Sequence, residues 1–434
     1  YWRPDSTHVT KIQLPNLLFG GNQVLGSPNA TTSQAYRNNF RQRVKLLDES
    51  KCYSVPPTMS RTIYCACPSS IGQETQQKLA LSIVEQIRKW TNVNVSAQIV
   101  SYQTVVEAVE KLRGLDSAGV AVFILNEEPV AYYDAAFMLP GWRIKRITDR
   151  TLQKHYEYVE KGWWDRKMKA FNQEKGKRQW ESFITMNSLA LLYLLDVVPF
   201  RVQNLGTYEA QLAIDVGHDR RFSAISLTVV RQENETPPFL SRSEVYDKPD
   251  TQHEMINPIL LSDQISGLFD TAFRKSFSPL NSLLILRDGQ MSDNELVGIN
   301  RAIAHIKSKG YLLEDGKVDV ADIHKDSAKS VRLWEVSKND IVENPLEGTM
   351  IRLNNEVVML ATTGSATLHQ GTAEPLMLRS NGNCSNLEDV AKSVFMGSQL
   401  NWFSPTVAQR LPLSLKITDD ELVARSAQEI RRLR

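Results

Sequence analysis

Two apolar segments, far apart in the chain, each end in a single aspartate. Residues 212–218 read Leu-Ala-Ile-Asp-Val-Gly-His, and residues 283–289 read Leu-Leu-Ile-Leu-Arg-Asp-Gly. Continuous apolar runs of this kind are typical of strands that are buried on both faces. A carboxylate at the end of such a strand is unfavourable unless a cation or a hydrogen-bond donor compensates its charge. The sequence therefore predicts two buried strands whose aspartates, Asp215 and Asp288, need a partner.

A divalent metal ion would satisfy both aspartates if their strands were neighbours. Mg²⁺ prefers carboxylate, carbonyl and water ligands. Hydrolysis of a phosphodiester by two metal ions needs acidic oxygens that converge on ions roughly 3.5–4 Å apart. Each aspartate taken alone also fits a structural cap or a turn. The pair, rather than either residue, indicates a metal-dependent site.

The composition is that of an ordinary globular protein, with 434 residues, 42% of them apolar and 23% charged. This length allows two or three domains with cores of their own. The formal net charge is only +2, so any nucleic-acid binding must come from local basic surface. No apolar stretch approaches the roughly 20 residues that cross a membrane. We therefore expect no membrane partner.

The four cysteines are too few and too scattered for a disulfide framework. Cys65 and Cys67 are separated by one residue, and no second pair stands at zinc-binding spacing, so we interpret them as packing residues of a strand. This usage fits a reducing compartment, and we expect a cytoplasmic location.

The first half of the chain changes from a polar segment to an alternation of strands and helices. Residues 1–55 are rich in polar residues and Pro, which predicts a linker that wraps a domain. From residue 61, apolar runs alternate with helix-periodic segments, which predicts a Rossmann-like parallel sheet. No Gly-x-Gly-x-x-Gly follows the first strand, so a dinucleotide site is not indicated. The predicted strands are 61–67, 95–100 and 119–125, and the predicted helices are 74–90, 102–112 and 182–197.

Residues 161–180 hold seven Lys or Arg against two acids, with four aromatic residues among them. One interpretation is a solvated helix with an aromatic face. The other is a surface that contacts phosphates, since Lys and Arg release counterions and aromatic rings stack on bases. The sequence leaves both interpretations open.

The second half begins with two apolar runs, 212–216 and 223–230, that predict adjacent strands joined by a short turn. A polar, Pro-bearing stretch, 233–249, leads to a helix predicted from about residue 254 to residue 273. The further predicted strands are 283–286, 318–323, 331–336 and 357–362, and the further predicted helices are 294–308 and 386–400.

The order of the acidic residues and the motifs that follow resemble the PIWI domain of Argonaute proteins, an RNase H-like nuclease fold. The matching residues are Asp215, Glu254, Asp288 and Asn401, together with Lys325, the segment 331–334 (Val-Arg-Leu-Trp), and the segments 344–349, 361–364 and 370–376. The resemblance covers residues 55–434. It implies an α/β protein in which a Rossmann-like MID domain (56–200) follows the N-terminal linker (1–55) and precedes a PIWI domain with a mixed sheet (201–434).

The resemblance implies a catalytic tetrad. Asp215, Asp288 and Asn401 would hold Mg²⁺ or Mn²⁺, and Glu254 would complete the site from a loop. Glu244 competes with Glu254 for the loop position, since it lies in the same polar stretch. His369 is the other candidate for the position of Asn401.

The MID domain of the family anchors the 5′ end of a guide strand. Two positions where the family has lysines hold Phe137 and Asp196 here, and this departure from the family pattern makes a 5′-hydroxyl end an alternative to the ordinary 5′-phosphate. Lys145 and Arg146 could instead supply the positive charge. The residues that match the guide-end pocket are Tyr133, Phe137, Lys145, Arg146 and Asn187.

The function implied is that of a guide-directed, divalent-metal-dependent endonuclease. Its partners would be a short guide RNA or DNA, a complementary target strand, and a second protein chain if N-terminal, PAZ-like or effector functions are supplied in trans. The main alternative is a guide-loaded target sensor that does not cut and acts with a partner effector against foreign DNA. A third alternative is an RNase H-like nuclease that acts without a guide.

Overall fold

The fold rests on two large β-sheets, one of four parallel strands and one of nine mixed strands. Three smaller sheets of two or three strands accompany them. The computed structural model describes residues 8–115, 117–125, 138–165, 167–273, 277–325, 331–336, 341–368, 371–380 and 382–432.

The helices and strands of the described residues are numbered in chain order. The helices are α1 (Ser33–Ser50), α2 (Gln73–Thr91), α3 (Val105–Arg113), α4 (Asp149–Lys161), α5 (Gln173–Leu194), α6 (Pro258–Ala272), α7 (Asp293–Ser308), α8 (Leu387–Ser398) and α9 (Leu413–Arg432). The strands are β1 (Val9–Lys11), β2 (Leu17–Leu18), β3 (Val24–Leu25), β4 (Thr62–Pro68), β5 (Ser96–Tyr102), β6 (Val120–Leu125), β7 (Arg143–Thr148), β8 (Trp163–Asp165), β9 (Ala170–Asn172), β10 (Arg201–Val202), β11 (Ala210–Val216), β12 (Phe222–Val230), β13 (Phe239–Asp247), β14 (Leu280–Asp288), β15 (Leu312–His324), β16 (Glu335–Val336), β17 (Val342–Glu343), β18 (Thr349–Arg352), β19 (Val357–Ala361) and β20 (Leu376–Arg379).

The parallel sheet has the strand order β5-β4-β6-β7. Its central strand β6 is buried along its whole length, as its unbroken apolar run predicts. Apolar side chains from opposite faces of the sheet enter two separate core clusters, so helices cover both faces. The Rossmann-like prediction is confirmed. Cys65 and Cys67 are both fully buried in β4, where they pack as apolar residues.

The mixed sheet has the strand order β1-β18-β19-β20-β15-β14-β11-β12-β13. Its centre, β11-β14-β15, is parallel, and the strands on either side run antiparallel to their neighbours. Helices α6 and α7 pack on one face, while α8 and α9 pack on the other. The prediction of a parallel-sheet domain followed by a mixed-sheet domain is confirmed.

The N-terminal segment contributes to both halves of the molecule. Strand β1 pairs with β18 at the edge of the mixed sheet, and β2 pairs with β10. In α1, the fully buried guanidinium of Arg43 donates to the backbone and side-chain oxygens of Gln399 at 3.2 Å and 3.0 Å. The segment therefore has a structural role, because its strands pair with sheet edges that would otherwise expose backbone groups.

Three parts of the chain differ from the sequence-based expectations. Residues 163–165 and 170–172 pair as a hairpin, β8–β9, rather than forming a helix, because Gly162 and the turn at Asp165 break the helical pattern. The polar stretch 233–249 contains a strand, β13, whose side chains are only half-buried at the edge of the sheet. No prediction covered α9, although its Leu415, Ile417 and Leu422 are buried.

The segment 331–336 was predicted to be a strand, and only its last two residues form one. Among the described residues, no helix combines the length and apolar character that a membrane crossing would require.

Candidate active site at the carboxyl ends of three parallel strands

Strands β11 and β14 bring Asp215 and Asp288 to the same level of the mixed sheet. The two strands are parallel neighbours in which Ile214 lies opposite Arg287, so the next residue of each strand is an aspartate. Residues that lie opposite each other in a sheet point to the same face. Each aspartate is only 7% exposed. The predicted pair of buried carboxylates is thus brought together by strand register alone.

Burial and mutual repulsion make this pair electrostatically unfavourable. Burial first, and then the charge of Asp288, raise the pKa of Asp215 to about 7. The backbone N–H of Val216 donates to Asp215 at 2.7 Å, which favours the charged form but does not reverse the shift. Burial also raises the pKa of Asp288, against the opposing effect of Lys325. A cation close to the pair would stabilise the charged form of both carboxylates.

Lys325 supplies that cation. It follows the last residue of β15, and its side chain shares the sheet face of Asp288 because Ile323, two residues earlier, lies opposite Asp288. The ammonium group contacts the carboxylate of Asp288 directly. Burial lowers the pKa of Lys325, but the charges of Asp288 and Asp215 raise it above its usual range, so the ammonium stays charged.

A third carboxylate, Asp419, completes this cluster from α9. Its Oδ1 accepts a hydrogen bond from the Lys325 ammonium at 2.9 Å, and its charge raises the pKa of Asp288 further. The sequence-based reasoning missed Asp419. A signal was present in the buried apolar positions of α9, because an amphipathic helix at residue 413 turns the side chain at 419 towards the sheet.

Asn401 has a local structural role in the described contacts. Its side-chain amide donates to the backbone oxygen of Val407 at 3.1 Å, and its oxygen accepts from the backbone N–H of Ser404 at 3.2 Å. Both ends of the amide therefore stabilise the loop before α9. Within the described residues, the acid that joins Asp288 through Lys325 is Asp419, so Asp419 is a further candidate for the fourth position, for which Asn401 was predicted. His369 lies outside the described residues.

Glu254 lies next to Gly289, the residue that follows Asp288, whereas Glu244 lies on the edge strand β13. A Cβ added to Gly289, the residue after Asp288, would stand 3.0 Å from Oε1 of Glu254. The same Oε1 is 3.9 Å from the buried guanidinium of Arg287, and the Glu254 side chain is 57% exposed. Glu244 instead accepts a hydrogen bond from Tyr246 on the edge strand β13, which is separated from β14 by two strands.

The structure also changes the setting of Glu254. The helix that was predicted to begin at this residue begins at Pro258, where Asn257 caps it by accepting from two backbone N–H groups. Glu254 therefore lies in the preceding loop rather than in a first helical turn. Arg287 contacts this loop residue twice, through the side-chain oxygen of Glu254 at 3.9 Å and its backbone oxygen at 3.5 Å.

The described guide-end candidates lie on β7 and α5. Strand β7 directs Lys145 and Arg146 to opposite faces of the parallel sheet, because side chains alternate along a strand. Lys145 lies opposite Val122, whose core cluster includes residues of α5, the helix that carries Asn187. The amide of Asn187 donates to the backbone oxygen of Phe183 at 2.8 Å. Tyr133 and Phe137 lie outside the described residues.

Two charges near these candidates now have defined settings. Burial lowers the pKa of Lys145, and within the described part of the chain no carboxylate is paired with it. Asp196, which stands where the family has a lysine, forms an ion pair of 2.6 Å with Arg143 at the surface. The negative charge of Asp196 is therefore largely compensated.

The acids around Lys325 fit a divalent cation by their chemistry. Asp215, Asp288 and Asp419 offer the hard oxygen ligands that Mg²⁺ and Mn²⁺ prefer. In the part of the chain that the structure describes, no three His, Cys, Asp or Glu side chains are grouped as a ready-made metal site. The ammonium of Lys325 contacts Asp288 directly, so a divalent ion on that carboxylate would have to replace it.

Solved Argonaute structures share this fold. Clostridium butyricum Argonaute bound to a guide DNA and a 19-mer target DNA matches with a TM-score of 0.69 at 15% identity, over 98% of this chain and 54% of that chain. Aa-Ago with externally bound siRNA matches with a TM-score of 0.60 at 14% identity, over 96% of this chain and 54% of that chain. A. aeolicus Argonaute matches with a TM-score of 0.59 at 15% identity, over 96% of this chain and 53% of that chain.

The chain thus spans about half the length of the Argonaute structures that it matches. No family model and no curated protein matches the sequence. The predicted MID–PIWI architecture is confirmed at the level of fold.

The first prediction concerns the stability of the protein without divalent ions. The folded-state pKa of Asp215, about 7, is raised above its ordinary value. The fold therefore becomes less stable as the pH rises from the ordinary pKa of an aspartate to about 7, because Asp215 then ionises in the buried site. We expect Asp215→Asn to raise the melting temperature by a few degrees at about pH 8 and to change it little at about pH 4, because the amide carries no charge to repel Asp288. Thermal unfolding in EDTA at several pH values measures this.

Asp288→Asn is the matched control, because Asp288 contacts Lys325 directly and its removal also discards a favourable ion pair. It should give a smaller gain at alkaline pH than Asp215→Asn. An Asp215→Asn protein whose advantage is independent of pH would contradict the electrostatic origin of the effect.

Proposed function

From the fold that this chain shares with Argonaute structures, we propose that the protein is an Argonaute-type nuclease that cuts a nucleic-acid strand paired to a short guide. The proposal rests on two buried carboxylates, Asp215 and Asp288, which lie side by side at the carboxyl ends of two parallel strands. A fold alone does not specify an activity. Two buried like charges held in register are unfavourable for stability, and they are useful to a site that binds a cation.

We propose that Asp215, Asp288 and Asp419 hold Mg²⁺ or Mn²⁺ in the active protein. When bound, such ions polarise a phosphodiester, activate a water molecule and stabilise the leaving oxygen. The chain supplies three carboxylates fixed by β11, β14 and α9, and it supplies Glu254 on a loop beside Gly289. From that loop, Glu254 would approach the ions and complete the set of acids around them.

Lys325 would have two roles in this scheme. Without a divalent ion, its ammonium compensates Asp288 and Asp419 and so preserves the arrangement of the acids. With a divalent ion bound, the ammonium would leave Asp288 and be available to contact an anionic backbone. Its flexible side chain permits this exchange, since a lysine carries a point charge on four rotatable methylene groups.

The proposed partners are a short guide RNA or DNA and a complementary target strand. Base pairing would read the target sequence, while the protein would hold the strands by backbone shape and charge, as in other guided systems. Lys145 is the cation that we propose for the guide end, because it is half-buried and uncompensated by any described carboxylate. Arg146 points to the other face of the sheet and takes no part in this proposal.

A guide-loaded sensor that does not cut is the second candidate. The observation in its favour is that Lys325 already forms ion pairs with Asp288 and Asp419, as it would in a protein that never binds a metal ion. In that case a second protein chain would carry out the response to a bound target. Cleavage assays with purified protein separate the two candidates.

The second prediction assigns the catalytic residues. In a cleavage assay with guide, labelled target and Mn²⁺, Asp215→Asn, Asp288→Asn and Asp419→Asn should each lose activity by at least about a hundredfold, because each removes a metal-binding oxygen charge. Glu254→Gln should lose activity to a similar degree. Guide–target binding, measured separately, should persist in all of them.

Two matched controls test the assignment. Glu244→Gln removes the competing loop acid, and Asn401→Ala removes the amide that holds the loop before α9; both should keep most of the activity of a folded protein. Loss of cleavage in Asn401→Ala together with full activity in Asp419→Asn would assign the fourth position of the tetrad to Asn401. A wild-type protein that binds guide and target but never cuts would favour the sensor.

The third prediction concerns the guide end. Lys145→Met should lower the affinity for a 5′-phosphorylated guide relative to a 5′-hydroxyl guide by about tenfold, because one charge-assisted hydrogen bond is lost. Arg146→Met, on the opposite face, serves as the control and should leave the ratio of the two affinities nearly unchanged. An unchanged ratio in Lys145→Met would remove Lys145 from the guide-end site.

A further inference from the structure

The hairpin β8–β9 presents an aromatic platform that the proposed active site does not use. It joins α4 to α5, and its two strands pair Trp163 with Asn172 and Trp164 with Phe171. Side chains alternate between the faces of a hairpin, so these two pairs point in opposite directions. One face packs against the rest of the domain, and the other face is exposed to solvent.

The bound face fixes the hairpin to the domain. The ring of Trp163 packs against Tyr158 of α4 at 4.8 Å between centroids, and the ammonium of Lys175 lies 5.2 Å above the same ring. Asn172 caps α5 by accepting from the backbone N–H of Lys175 at 2.8 Å. At Gly176 of α5, an added Cβ would overlap the backbone oxygen of Tyr158 in α4 and would stand 3.1 Å from the backbone nitrogen of Trp163, so a glycine is needed where α5 meets α4 and the start of the hairpin.

The open face exposes two aromatic rings side by side. Trp164 is 49% exposed and Phe171 is 56% exposed, and their centroids are 5.1 Å apart in an edge-to-face arrangement. The side chain of Met168 in the turn is 71% exposed. Large apolar side chains grouped on an exposed hairpin are typical of a surface that binds a partner.

The charges around the platform define the chemistry of that partner. Lys167 and Lys169 in the turn, and Lys177 on the following helix, are exposed cations. The acids nearby have other bonds: Asp165 accepts from the backbone N–H groups of Lys167 and Met168, and Glu174 is paired with Arg178. Residues 161–180 carry a net charge of +5, from seven basic and two acidic residues.

We propose that the hairpin β8–β9 is a binding platform for single-stranded nucleic acid. Bases would stack on Trp164 and Phe171, and backbone phosphates would contact Lys167 and Lys169. Exposed aromatic rings on which bases stack, with adjacent cations for the backbone, are the combination by which proteins hold unpaired strands without sequence preference. The platform is separate from the acids of the active site, and the proposal does not depend on cleavage.

Fluorescence titration of the full chain tests the stacking contact. Trp164→Phe keeps a stacking ring but removes one indole, so the difference between wild-type and variant emission reports on Trp164 alone. Adding a poly(dT) strand should quench this difference signal, and an abasic phosphodiester of equal length should not. Quenching by neither strand would overturn the proposal.

Affinity measurements separate stacking from charge. Trp164→Ala with Phe171→Ala should weaken poly(dT) binding by about tenfold, whereas Trp164→Phe should retain most of it. Lys167→Gln with Lys169→Gln should reduce the slope of log affinity against log salt by about 0.7 for each lost phosphate contact. Lys45→Gln with Lys309→Gln removes the same charge from exposed positions elsewhere in the chain and should leave poly(dT) binding unchanged.

The alternative occupant is an acidic protein surface. Binding of poly(Glu) that equals the binding of poly(dT), with the same dependence on Trp164 and Phe171, would overturn the assignment to nucleic acid. The assignment would also be overturned if poly(dT) quenched the Trp164 signal of the wild-type protein but bound the Trp164→Ala, Phe171→Ala protein with unchanged affinity. Circular dichroism of each variant establishes that the fold is retained.

Discussion

The contact of Lys325 with Asp288 is the interaction on which the site depends. Parallel register places Asp215 and Asp288 level with each other, and burial makes two adjacent negative charges unfavourable. Lys325 and Asp419 extend this pair into a cluster of three acids around the Lys325 ammonium, with members from β11, β14, α9 and the residue after β15. Moving one member of a buried ion pair away would leave an uncompensated charge. The cluster therefore fixes the position of each strand and helix that contributes a member to it.

The rest of the fold holds these elements in place. The N-terminal strand β1 extends the mixed sheet, and the buried Arg43 of α1 fixes the end of α8 through Gln399. A continuous core links the parallel-sheet domain to residues of α9, including Leu413 and Ile417. The helix that carries Asp419 is therefore held between the two domains, so its position depends on both.

The sequence predicted those parts of the fold that follow from local pattern. The strands ending in Asp215 and Asp288 were recognisable because a continuous apolar run with one terminal acid is typical of a strand buried on both faces. Asp419 was not recognisable, because its role depends on how α9 crosses the sheet and on a lysine at the end of another strand. Asn401 was chosen from the resemblance and from order along the chain, which carry no information about its hydrogen bonds to Ser404 and Val407. The hairpin at residues 163–172 shows the same limit, since charge and aromatic content did not distinguish a helix from two short strands.

We propose that a divalent ion replaces the ammonium of Lys325 on Asp288. The position of Mn²⁺ in a crystal of this protein, located by its anomalous scattering, tests this exchange most directly. We expect an ion bound by Asp215, Asp288 and Asp419, with the ammonium of Lys325 displaced from Asp288. Lys325→Met should bind the ion more tightly than wild type, because the competing cation is absent. An ion bound elsewhere, with Lys325 still on Asp288 at saturating Mn²⁺, would contradict a metal-dependent site at these acids.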